Sequence, residues 1–128
     1  MAKRLTDTTK WTNRAFRAMP DKFKLLYLYL LDNCDAAGVI RIDLDLVGYT
    51  LGHSFSKAEV ESALMGKVVF LAEDKLIIRN YIAFQNGDVT SSESKIAGSI
   101  RSALNSHGLL ERYKKGEFGV TNAAVGLL

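Results

Sequence analysis

The side chains of this sequence that can do chemistry are mostly cations and small hydroxyls. Lys3, Arg4, Lys10, Arg14 and Arg17 crowd the first 17 residues, with Asp7 as the one acid among them. A basic arm of this kind can track phosphates. The equally weighted reading is a solvated charged end. Towards the other terminus, Lys95, Ser99, Arg101, Ser102 and Asn105 lie outside an apolar helical stripe, with Lys114 and Lys115 beyond. Small hydroxyls and amides beside cations suit phosphate contacts, although an ordinary surface helix is the plainer reading for any one of them. Lys57, Ser62, Lys67, Lys75 and Arg79 are the further candidates in the middle of the chain.

Catalytic groups are sparse. Cys34 is the lone cysteine, which excludes an internal disulfide, and it falls on an apolar helical stripe where a core role is expected. His53 and His107 are far apart and no second cysteine exists to build a zinc site. His107 ends an amphipathic helix, which suits packing or capping. No glycine-rich phosphate loop or catalytic carboxylate pair is present, and Asp43 and Asp45 read as helix caps. No enzyme activity, metal or cofactor is expected.

The elements that must position these residues belong to one domain. The chain has 128 residues, 48% hydrophobic and 24% charged, enough for one core. Its net charge of +3 is uneven: residues 1–24 carry a net +5, residues 25–88 a net −4 and residues 89–128 a net +2. The termini are therefore the better electrostatic candidates for a polyanion. The start is not a signal peptide. The longest strongly apolar run, Leu25 to Leu31, is far short of the roughly 20 residues of a membrane span. A cytoplasmic location without a membrane partner is expected.

Residues 3–11 read as an extended arm because Thr6, Thr8 and Thr9 are β-branched. Asn13 to Met19 can form a helical turn with Phe16 inward. Pro20 opens a long helix with Phe23, Leu26, Tyr27, Leu30, Leu31 and Cys34 on one face, closed by Gly38. Val39 to Ile42 is a strand. Asp43 or Asp45 caps a helix with Leu44, Val47 and Leu51 inward, and Gly52 ends it. Ser56-Lys57-Ala58-Glu59 is a capping box, flanked by Phe55 and Val60 as a hydrophobic staple. Its helix starts at Lys57, has Val60, Ala63 and Leu64 inward, and ends near Gly66. Val68 to Ala72 and Leu76 to Asn80 form a β-hairpin around Glu73-Asp74-Lys75. Gln85 to Asp88 is a loop. Thr90-Ser91-Ser92-Glu93 is a second capping-box pattern, which predicts a helix over about 92–107 with Ile96, Ile100, Ala103, Leu104 and His107 inward. Beyond Gly116 a mobile tail is expected.

This order predicts an α+β, mostly α chain: a winged helix-turn-helix with a β-hairpin wing and an extra C-terminal helix. The domain spans 1–115, with a basic arm over 1–17 and a tail over 116–128. The helix at 57–65 takes the recognition position. Lys24 to Ile40, with Leu-Leu-Tyr-Leu-Tyr-Leu-Leu-Asp-Asn-Cys-Asp-Ala-Ala-Gly inside it, preceded by Trp11-Thr12, resembles the amino-terminal domain of phage replisome organisers and DnaD-like replication initiation proteins. Tyr81 to Gly87 and Ser106 to Leu110 resemble later segments of that family, so the resemblance covers roughly residues 3–115. It implies a winged-helix origin-binding domain, often followed by a helicase-loading or oligomerising region that this chain lacks, as a short member or the front of a longer protein.

The residues also supply a competing expectation. The outward face of the recognition-position helix should be Ala58, Glu61, Ser62 and Met65, and none of these is Arg, Lys, Asn or Gln, the usual base readers. The wing tip is acidic. The partner expected first is duplex DNA, bound by the arm and last helix around a weakly basic core. The alternatives are a protein-interaction module, bound to a replisome protein or a second copy, and a transcriptional regulator.

Overall fold

The computed structural model describes residues 3–119. The chain before the first long helix is built, not loose. Asp7 caps a single 3-10 turn, Thr8–Thr12, and Asn13 caps α1, Arg14–Ala18, through hydrogen bonds from Thr9 and Phe16 N–H. Helix α2, Asp21–Asn33, follows Pro20, which occupies the N-cap, and runs through the core with Phe23, Leu26, Tyr27 and Leu30 buried. Asp35 then turns the chain: its Oδ1 accepts from the N–H of Ala37 and Val39 at 2.9 and 3.0 Å.

Strand β1, Val39–Arg41, leads into α3, Leu44–Leu51, which Asp43 caps. Asp45 sits in the first turn and is not the cap. Gly52, at φ 75°, ends the helix in the left-handed region that glycine adopts freely. After a turn comes α4, Lys57–Ala63. The staple residues Phe55 and Val60 are both buried, as the sequence requires. The Ser56 hydroxyl receives the Glu59 N–H at 3.2 Å and donates to Glu59 Oε1 at 3.1 Å. The helix is shorter than expected, ending at Ala63 rather than near Gly66.

Strands β2, Val68–Ala72, and β3, Lys75–Ile78, form the hairpin. The sheet is antiparallel throughout, in the order β1-β3-β2, so β2 is an edge. A bulge interrupts β2 between Phe70 and Ala72. Asn80, at φ 64°, reverses the chain into a further helix, α5, Tyr81–Asn86, so Gln85 and Asn86 are helical and not part of the expected loop. Helices α6, Lys95–Ser106, and α7, Leu110–Lys114, complete the described chain.

Two cores lie on opposite faces of the sheet. One joins α1, α2, α3 and α4 to Ile40, Val68, Leu76 and Ile78. The other joins Val39 and Ile77 to Val89, Ile100, Leu104, Leu109, Tyr113 and Phe118. The alternation of side chains along β3 supplies both.

Three C-terminal expectations are corrected. Helix α6 starts at Lys95, capped by Ser94, because Asp88 captures the Thr90 N–H, the Thr90 hydroxyl and the Ser91 hydroxyl at 2.9, 2.6 and 2.8 Å. Thr90 is thereby withdrawn from capping. The inward stripe begins at Ala97, and Ile96 is 63% exposed. Residues 116–119 are also not a free tail: Phe118 is buried, and its carbonyl accepts from Asn80 N–H at 3.0 Å. Packing therefore runs past residue 115. The rest of the expected tail, 120–128, lies outside the described residues.

Candidate nucleic-acid interface

The candidate cations fall into two sets once their surroundings are known. In the first, the charge is already committed to the fold. Arg4 donates to the carbonyls of Leu31 and Asp32 at 2.9 Å each and to that of Cys34, which places a cation at the carbonyl-rich end of α2. It also lies over the Tyr81 ring at 5.8 Å. Leu5 trades two hydrogen bonds with the Gln85 amide, at 2.9 and 2.7 Å. Lys10 is 4% exposed and donates to the Thr6 hydroxyl at 2.8 Å. The expected flexible arm is thus a docked strap, and Arg4 and Lys10 are taken out of the candidate interface. Arg101 is removed as well: its guanidinium ties the carbonyls of Val89 and Ser92, both at 2.6 Å, to α6.

The recognition-position helix is neutralised in the same way. Lys57 pairs with Glu61 at 3.1 Å and with Glu73 at 3.3 Å, and lies 5.2 Å from the Phe70 ring centre. The hydrogen bonds its ammonium donates to Glu61, then to Glu73, hold its pKa above the ordinary lysine range. At the hairpin tip Asp74 pairs with Arg41 at 2.8 Å. Ala58, Glu61 and Ser62 are exposed on α4, as the spacing predicts, and Met65 is exposed just beyond the helix, where it bridges Val68. Ser62 is thus available but sits beside an acid.

The second set is open. Among the described residues, no carboxylate pairs with Lys3, Arg14, Arg17, Lys67, Lys75 or Lys95. Lys3, Arg14, Arg17 and Lys95 are exposed, and Lys67 and Lys75 are half-buried. Arg79, half-buried, reaches the Gly66 carbonyl at a long 3.4 Å, and among the described residues its buried Nε has no partner. Arg14 and Arg17 share α1 with no acid, and Trp11, three residues before Arg14, is 56% exposed and edge-on to Phe16 at 5.1 Å.

A contact the sequence reading missed ties the start of α2 to α4. Lys22, on the first turn of α2, donates to the Ser54 carbonyl at 2.9 Å and pairs with Glu59 at 3.1 Å. It also lies over the rings of Phe23 and Phe55. The turn between α3 and α4 is therefore clamped to the beginning of α2, and α1 ends only two residues before that helix. Nothing in the local sequence marks Lys22 for this role, since its partners are 32 and 37 residues away.

The nucleophile candidates are accounted for structurally. Cys34 is 2% exposed, and burial pushes its thiol up, away from the reactive thiolate. His107 bonds Asp35 at 2.8 Å and links the end of α6 to the turn after α2. Among the described residues no three His, Cys, Asp or Glu side chains gather as a metal site, and no helix is long and apolar enough to cross a membrane. No family model, curated protein or solved structure matches this chain.

Proposed function

We propose that the chain is a winged-helix domain that binds duplex DNA through its phosphates, in a protein of the replication-initiation type its sequence resembles. The order α2-β1-α3-α4-β2-β3 with a sheet ordered β1-β3-β2 supports the winged-helix reading. In that architecture α4 faces the major groove. The observation that carries the DNA reading is the pair Arg14 and Arg17, exposed and without acidic partners among the described residues, on a helix that ends just before α2, whose Lys22 reaches the start of α4. Lys3 and Lys95 are further open cations. The outward face of α4 offers no bidentate base reader, so contacts to phosphate carry the affinity and sequence preference is weak.

Fluorescence anisotropy of a labelled duplex, titrated across salt concentrations, tests this. Each phosphate contact contributes about 0.9 to the slope of log affinity against log salt. Arg14→Ala/Arg17→Ala is expected to lower that slope by about two and to weaken binding of unrelated duplexes alike. Binding that ignores salt, or an unchanged slope in the double variant, would overturn the proposal. Deleting the arm is the wrong test, because Arg4, Lys10 and Phe16 are part of the fold.

A second reading, a protein-interaction module, is favoured by the neutralised Lys57 and the acidic hairpin tip. A transcriptional regulator would differ from the first reading only in which duplex is bound.

A further inference from the structure

The outer edge of β2 and the outward face of α4 enclose a groove of about 620 Å3, lined by Glu61, Ser62, Met65, Val68, Val69 and Phe70 among others. Met65 is 78% exposed at its wall. The backbone directions can be worked out from the ladder. Ile78 N–H points to Gly38 on the β1 side, so Ile77 faces β2 and pairs with Val69. Phe70 therefore turns its N–H and C=O outward, towards the groove. An open strand edge is a template for another chain, and here the open position is Phe70, because Val68 N–H already goes to the Leu64 carbonyl at 3.2 Å and Met65 bridges Val68.

Charge decides what suits it. Glu61 lines the groove, and Glu73 and Asp74 stand at its hairpin end. Of the three cations at that end, Arg41 is engaged by Asp74, Lys57 is shared between Glu61 and Glu73, and Lys75 stands on β3 without a carboxylate partner among the described residues, so the two carboxylates on the α4 side outnumber their one ammonium. A second copy fits poorly. Its own β2 carries an α4 alongside, which would bring Glu61 against Glu61, and the bulge after Phe70 shortens the flat edge.

We propose that this groove binds a single extended segment of a partner protein by strand addition at Phe70, with an apolar side chain on Met65 and a lysine or arginine at Glu61. The segment's backbone exchanges hydrogen bonds with Phe70. Its alternate side chains face the groove, and its cation meets the carboxylate that the outward face of α4 presents. The site does not rest on the DNA reading: it shares the outward side of α4 with the major-groove contact, so peptide and duplex would compete there, while Arg14 and Arg17 lie outside it.

The test uses a capped hexapeptide alternating lysine and valine, with a glutamate–valine peptide as its control, titrated into isotope-labelled protein. Amide shifts confined to Phe70, its strand neighbours and α4, together with slowed exchange of the Phe70 N–H, are expected from the lysine peptide only. Glu61→Lys should weaken that binding at least tenfold. Met65→Asp, which changes an exposed side chain and keeps the backbone that bridges Val68, should abolish the shifts while leaving the rest of the spectrum in place. Equal binding of the two peptides, shifts elsewhere, or indifference to both substitutions would overturn the proposal. A doubled mass by light scattering that Met65→Asp returns to one chain would also overturn it, in favour of a second copy.

Discussion

At the scale of single residues, the same side-chain type does opposite jobs according to what surrounds it. Arg4 and Arg101 are spent on backbone carbonyls, whereas Arg14 and Arg17 keep their charge for solvent or a ligand. Arg4→Ala would leave three carbonyls at the end of α2 without their cation. Hydrogen bonds to charged groups contribute about 1.5–3 kcal/mol, so a loss near the lower figure is expected for this half-buried residue, read as a lowered urea midpoint. Arg14→Ala should leave the midpoint unchanged. Burial likewise sets the tyrosines apart: the Tyr113 hydroxyl is pushed up to about 12, so it stays protonated across the ordinary pH range.

At the scale of elements, caps decide where helices begin, and competition among hydroxyls decides which cap wins. The second capping-box pattern named the right neighbourhood but the wrong residue, since Asp88 had already engaged Thr90 and Ser91. Ser94→Ala should therefore cost about 1 kcal/mol in chemical denaturation, the typical value for an N-cap. The Asp88 carboxyl is held below its ordinary range, first by the Thr90 hydroxyl, then by that of Ser91. A carboxylate with a depressed folded pKa stabilises above its ordinary value of 3.8, and that contribution fades as pH falls through the folded value. Glu59 acts in the same direction, through Lys22 and then Ser56. Stability should fall on acidification below roughly pH 4, and Asp88→Asn should flatten part of that fall in urea midpoints measured from pH 5 to about pH 3. Gly48 shows a different constraint on an element. A Cβ there would sit 2.5 Å from the His53 carbonyl, so Gly48→Ala should disturb the turn between α3 and α4 despite alanine's better helix propensity.

At the scale of the whole molecule, the C-terminal layer is part of the fold and not an appendage. Helices α6 and α7 with Phe118 cover the sheet face that Val39 and Ile77 present. Phe118→Ala should cost about 3–5 kcal/mol, the usual penalty for a buried phenylalanine. A single cooperative transition by circular dichroism and intrinsic fluorescence should persist, at a lower temperature. Separate transitions for the two cores would show instead that they fold independently.

What the sequence determined by itself was local. Apolar spacing placed α2 and the inward faces of α3 and α4, the Phe55-to-Val60 staple placed the start of α4, and two apolar runs around Glu73-Asp74 placed the hairpin. These signals work because a helix period or a cap depends on residues within four positions of each other. The outward residues of α4, and hence its poverty in base readers, followed from the same spacing. Tertiary structure decided everything that depends on distant partners. The arm folds back because the carbonyls receiving Arg4 lie 27 to 30 residues on and the Leu5 partner lies 80 on. Helix α5 and the burial of Phe118 follow from a sheet face that needs covering, which no local period records. Whether a cation is free or engaged is the largest of these decisions, because charge acts through space and its partners are chosen by the fold.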